Sequence, residues 1–197
     1  MRIRTILAAA AAPAALAAVL LGTAGQASAA TNGNPNPGNG AVVITTQAQA
    51  DTLMAQGTIN KNVDVPQGAD VQLRWVDIKG NLSIEGKLSL ASSQIEGNAN
   101  VSGPGAGLSL FNDPGNHFWR NLTVNGAGGY YDGSWINTGL GVYSNGQQVD
   151  GNLTFTNNTG SRMSLNGSMT VNGNFTYSGN ALPYAGGLTV LGSQSVS

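Results

Sequence analysis

The chain has 197 residues, of which 41% are hydrophobic, 9% are charged and none is cysteine. The charged share is far below the roughly 25% of an ordinary globular protein, and a formal net charge of −1 gives no electrostatic footprint for nucleic acid or an anionic membrane. Without cysteine there are no disulfide staples, so stability must come from backbone pairing and packing.

Arg2 and Arg4 precede an apolar run from Ile6 to Leu21, and Ala27-Ser28-Ala29 has the small-residue pattern of a signal peptidase site. Residues 1–29 therefore read as a signal peptide, with an apolar run too short for a stable anchor. The expected product is secreted, extracellular or cell-surface associated, with no membrane insertion. Removing the signal leaves six basic against nine acidic side chains.

Residues 30–40, rich in Pro, Gly and Asn, read as a flexible linker. Within 41–61, Val42-Val43-Ile44 can open a strand, and Thr46 to Gln56 reads as a helix. Thr45 or Thr46 can cap that helix, Ala48, Leu53 and Met54 form its apolar side, and Gly57 can end it. One helix ahead of a repeat array is the cap that a solenoid end requires.

From residue 62 to 197 the chain repeats. Asn62, Asn81, Asn98, Asn121, Asn152 and Asn174 each begin the pattern Asn, apolar, polar, apolar, at spacings of 19, 17, 23, 31 and 22 residues. Gly80, Gly97, Gly151 and Gly173 stand directly before four of them. A second alternating triplet follows in each repeat, as in Val71-Gln72-Leu73, Leu88-Ser89-Leu90, Leu108-Ser109-Leu110, Met163-Ser164-Leu165 and Leu188-Thr189-Val190. A weaker third one precedes the next Asn. Three period-2 strands per repeat of roughly 18–24 residues predict an all-β parallel β-helix of about six coils, a three-faced β-solenoid. The six Asn residues are expected to form a structural ladder, with stacked side-chain amides bonding from coil to coil. Gly-Asn is expected to take left-handed or bridge geometry at a sharp corner.

On these motifs residues 62–197 resemble the right-handed parallel β-helices of the pectate-lyase-like superfamily, and exported actinomycete proteins with Gly-Asn-Leu-Thr-Val repeats. The unequal coil lengths fit the right-handed form, whose corners accept insertions. The resemblance implies polysaccharide cleavage, which needs clustered acidic calcium ligands with a base, or facing carboxylates. The sequence assembles neither. The outward row of the first strands is Asp64, Ser83, Asn100, Thr123, Thr154 and Thr176, with one carboxylate and no cation. His117 is the only histidine, which excludes a His-based metal site within one chain. It reads as an exposed loop residue within reach of a carboxylate such as Asp113. Lys79 and Glu96 share a register position and read as a surface ion pair. No catalytic set, metal or cofactor is expected.

Two longer stretches, 104–120 and 126–148, are expected to emerge as neighbouring loops. They hold Trp119, Tyr130, Tyr131, Trp135 and Tyr143, the candidate ligand-binding residues. Such rings either stack on sugars or a partner protein, or fold back to plug the side of the solenoid. The expected role is a non-enzymatic structural or interaction module whose partner is a cell-wall or extracellular polysaccharide or a protein. The alternative is a carbohydrate-binding or polysaccharide-active β-helix using the two aromatic loops. An ice-binding surface wants two parallel columns of regularly spaced Thr, and here one column is apparent, mixed and interrupted by unequal coils. The C-terminal Leu188-Thr189-Val190 and the polar strand around Val196 leave the array without a helical cap, which opens end-to-end self-association.

Overall fold

The computed structural model describes residues 40–111, 114–128, 140–142, 146–160, 164–165, 169–184 and 187–197. These residues form three parallel sheets and one helix, a β-solenoid of about six coils. The first sheet stacks Val42–Val43, Val63–Val65, Leu82–Ile84, Ala99–Ser102, Leu122–Asn125, Leu153–Thr156, Phe175–Ser178 and Gln194–Val196. The second stacks Asp70–Arg74, Lys87–Ala91, Gly107–Phe111, Leu140–Val142 and Ser164–Leu165. The third runs from Thr58–Ile59 through Asp77–Ile78, Gln94–Ile95, His117–Phe118, Gln147–Val149 and Met169–Val171 to Leu188–Val190.

Alternation builds the core. In the first sheet Val63, Val65, Leu82, Ile84, Val101, Leu122, Val124 and Leu153 are essentially inaccessible, while the residues between them face out. Burying one such side chain stabilises by about 1.5–3 kcal/mol, and ordering each residue's backbone costs about 1–2 kcal/mol. A lone coil has nothing to bury its pair against, so stability arises only between coils.

The helix spans Gln47–Gln56. Thr46 caps it in a reciprocal box: its Oγ1 accepts the Gln49 N–H, and Gln49 Oε1 accepts the Thr46 N–H at 3.2 Å. Gly57, at φ 73°, closes it with its N–H on the Met54 carbonyl. Ala50 and Leu53 enter the core. Gln47 then clamps the edge of the second sheet: its Nε2 donates to the Gln72 carbonyl (3.1 Å), and its Oε1 accepts the Gln72 N–H (2.8 Å). A side-chain amide thus takes the place of a neighbouring strand's peptide and blocks the edge.

The Asn column bonds in one direction. Oδ1 of Asn62, Asn81, Asn98, Asn121, Asn152 and Asn174 accepts the backbone N–H of Asn81, Asn98, Asn121, Asn152, Asn174 and Ser193, at 2.8 to 3.3 Å. The expected amide-to-amide bond joins Asn121 Nδ2 to Asn98 Oδ1 (3.1 Å). The glycine before four of the six Asn residues does not take the left-handed geometry that was one of the two expected. Gly80, Gly97, Gly151 and Gly173 have no positive φ. A Cβ on Gly97 would instead stand 2.4 Å from the Gly80 carbonyl oxygen, and one on Gly173 2.4 Å from that of Gly151. Close backbone approach between coils excludes a side chain there.

Two further polar columns close the other corners with the opposite sense. Asn116 is fully buried; its Oδ1 accepts from Ser93 N–H in the preceding coil, and its own N–H donates to Gln147 Oε1 in the next. Asn158 accepts from Ala127 N–H and donates its N–H to Asn180 Oδ1.

Two strands fall elsewhere than expected. Leu188–Val190 pairs with Met169–Val171 in the third sheet, not with the second. Tyr184 packs against the core there, with its ring 5.1 Å from Phe175 and 5.5 Å from Tyr177. Leu140–Val142, inside the glycine-rich stretch, supplies a strand to the second sheet that the repeat pattern does not reveal. Leu191 and Val196 on the last coil are 69% and 48% exposed.

Gly97→Ala should force the coils apart and lower the melting temperature by the equivalent of about 1–3 kcal/mol, as overpacking does. Gly107→Ala, whose Cβ would meet nothing within 4 Å, should leave it nearly unchanged. Asn98→Leu strips the acceptor from the Asn121 N–H and should cost about 1–3 kcal/mol. Thermal melts followed by circular dichroism separate these cases; equal midpoints for the two alanine variants would refute the close-approach explanation.

Candidate functional site

The third sheet gathers the ionic and aromatic chemistry of the described surface. Its in-register strands project one outward column through Asp77, Gln94, His117, Gln148 and Thr170. The next outward position carries Lys79, Glu96, Trp119, Asp150 and Asn172, held in step by Glu96 N–H to Ile78 O, Trp119 N–H to Ile95 O and Asp150 N–H to Phe118 O. Neighbours across coils stand about 4.8 Å apart, so each side chain can bond the coil above or below.

Lys79 Nζ meets Asp77 Oδ2 at 2.6 Å and Glu96 Oε1 at 2.5 Å, so the Lys79–Glu96 pair becomes a three-member group with Asp77. The hydrogen bonds that Lys79 donates to Asp77 and Glu96 raise the lysine pKa. Exposed pairs of this kind contribute little stability. Asp77 Oδ1 is buried with no donor.

His117 lies in a strand and not in a loop, because Phe118 beside it fills the core completely. Its Nε2 is 2.8 Å from Asp150 Oδ2. Asp150 is a carboxylate partner that the sequence reading did not name; Asp113 lies outside the described residues. The pairing joins residues 33 positions apart and arises because 117 and 150 occupy adjacent coils. Gln148 Nε2 and Asn172 Nδ2 both donate to Asp150 Oδ1, at 2.5 and 2.7 Å. Partial burial pushes the Asp150 pKa up, but the bonds from Gln148, His117 and Asn172 and the charge of His117 outweigh it and hold the pKa below its ordinary value. At neutral pH Asp150 is an orienting anion and an acceptor, not a proton donor.

Trp119 stacks on the His117 ring, with centroids 4.3 Å apart and planes 24° apart, and its Nε1 donates to Gln94 Oε1 at 3.4 Å. It stays 49% exposed, so it neither plugs the solenoid nor joins the core. Tyr130, Tyr131, Trp135 and Tyr143 lie outside the described residues. Trp119 directly follows the third-sheet strand His117–Phe118. Among the described residues no group of three or more His, Asp or Glu could hold a metal ion, and no helix is long and apolar enough to cross a membrane. Comparison of the chain with family models, curated proteins and solved structures finds no match.

The two shifted carboxyls predict opposite responses to pH. Asp150 has a lowered folded-state pKa, so its contribution is present above the ordinary carboxylate pKa and is lost as pH falls through the folded value. Asp64 is raised by burial and by the charge of Glu85, so its ionised form destabilises at neutral pH and acidification relieves it. Asp150→Asn should lower the melting temperature at neutral pH, and Asp64→Asn should raise it, with both differences shrinking as pH falls through the carboxylate range. Melting curves across that range decide it.

Proposed function

We propose that the chain is an exported, non-enzymatic β-solenoid that serves as a structural or interaction module at the cell surface or outside the cell. Export rests on Arg2, Arg4, the apolar run Ile6 to Leu21 and the Ala27-Ser28-Ala29 pattern. The observation that carries the rest is how the third face uses its reactive groups. Lys79, Asp77 and Glu96 pair with one another, and Asp150 accepts from His117, Gln148 and Asn172. A His–Asp pair becomes a catalytic base when its imidazole meets a nucleophile, and this one is flanked instead by an indole ring and amides. Such a surface braces the coils and offers a fixed pattern of donors and acceptors.

A second reading, carbohydrate binding, is favoured by Trp119. Its ring is braced from one side by His117 and anchored through Nε1 to Gln94. An indole held in this way, with polar groups alongside, suits stacking against a sugar ring. Residues 30–197 on a glycan array, compared with Trp119→Ala, separate the readings. The carbohydrate reading expects binding to a neutral glycan that the variant loses. Binding to protein partners in a pull-down, with no glycan retained, leaves the interaction module as the function. A reproducible polysaccharide-cleaving activity abolished by His117→Ala or Asp150→Ala would overturn the non-enzymatic proposal.

A further inference from the structure

The outer face of the first sheet carries two polar columns. One runs Asn100, Thr123, Thr154, Thr176, Ser195, with partners in register at every step. The other runs Ser102, Asn125, Thr156, Ser178, again in register, and reaches Ser197, whose N–H bonds the Tyr177 carbonyl. The sequence suggested a single column interrupted by unequal coils. The strands of this face stay in register across the unequal coils.

Over these five strands both columns are uncharged; Asp64 and Glu85 lie in the coils before it. Every position is Ser, Thr or Asn, each able both to donate and to accept. Thr123, Thr154, Thr156 and Thr176 are half-buried and β-branched, which limits their rotamers. Bonds within the face order it further, Thr156 Oγ1 to Asn125 Oδ1 (3.0 Å) and Asn100 Nδ2 to Ser102 Oγ (3.3 Å). The Asn98 to Ser193 ladder runs along the same sheet and bonds each coil to the next.

The result is a grid that repeats at about 4.8 Å along the solenoid and about 6.7 Å along the strands. Its chemistry selects the ligand. With no charge, it does not discriminate ions. With no outward aromatic or aliphatic row, it offers little to a protein sheet, which packs through interdigitating apolar residues. A single glycan chain repeats in one dimension and would use one column. A ligand that is neutral, donates and accepts at every site, and repeats in two dimensions near these distances is a face of solid water. We propose that the outer face of the first sheet, from Asn100 to Ser197, adsorbs to ice.

The test is partition of the purified exported protein into a growing ice hemisphere, together with inhibition of ice recrystallisation. Thr154→Lys puts a long charged side chain in the middle of the grid and should abolish both effects. Thr170→Lys, on the outer face of the third sheet, should leave both unchanged. Circular dichroism checks each fold, and Ser178→Lys replaces Thr154→Lys if that variant does not fold. Exclusion of the wild type from ice would overturn the proposal, as would retained activity in the folded Thr154→Lys or Ser178→Lys protein, or equal loss in Thr170→Lys. Capture on crystalline chitin or cellulose without capture on ice would also overturn it and assign the grid to a crystalline polysaccharide.

Discussion

Coil-to-coil backbone contact at the first corner governs this molecule. The glycines before the Asn column bring successive chains so close that a single Cβ would collide with a carbonyl. At that distance the peptide N–H of the next coil turns away from the sheet, and Asn Oδ1 of the coil before reaches it. Glycine removes the obstacle at four of the six steps, and asparagine supplies the acceptor at all of them, including those after Lys61 and Arg120. With the corner fixed, the strands of all three sheets fall into register and the apolar pairs meet across the core.

That constraint also explains which lengths are free. Coils differ by many residues, from 17 between Asn81 and Asn98 to 31 between Asn121 and Asn152, yet the first-sheet register is unbroken. The entropy of closing a longer connection grows only slowly with its length, so unequal coils cost the register little. The solenoid is rigid along its axis and permissive around its perimeter.

Much of this was legible in the sequence because period-2 alternation and a marker residue recur together. The Asn marked the corner and the triplets marked the three strands of each coil, the third more weakly. What stayed hidden depended on pairing across coils. Gln47 reads as an ordinary first-turn residue until its amide lies against Gln72. His117 and Asp150 are 33 positions apart, and their meeting needs both the third strand of each coil and the length of the intervening insertion. Leu188–Val190 has the alternation of either outer sheet; the Tyr184 contact with Phe175 and Tyr177, invisible in a pattern, accompanies its place in the third. The second column on the first face went unread because the residues after each triplet looked like the start of a loop.

The corner columns have a sense, and that sense makes the coils modular. At the first corner each coil accepts from the one after it; at the corners of Asn116 and Asn158 each accepts from the one before. At each such corner an interior coil presents a donor to one neighbour and an acceptor to the other, so its two sides are complementary. Excising residues 81–97 would set Asn62 beneath Asn98 as it now sits beneath Asn81, and repeating them would restore the same contact once more. Terminal coils are asked for only half of the pattern, which is how Ser193, with a backbone N–H to give, closes a column that Asn62 opened. Copy number in such a chain can change by a whole turn with the same corner bond re-formed, while the outer faces take new neighbours, such as Asp77 beside His117.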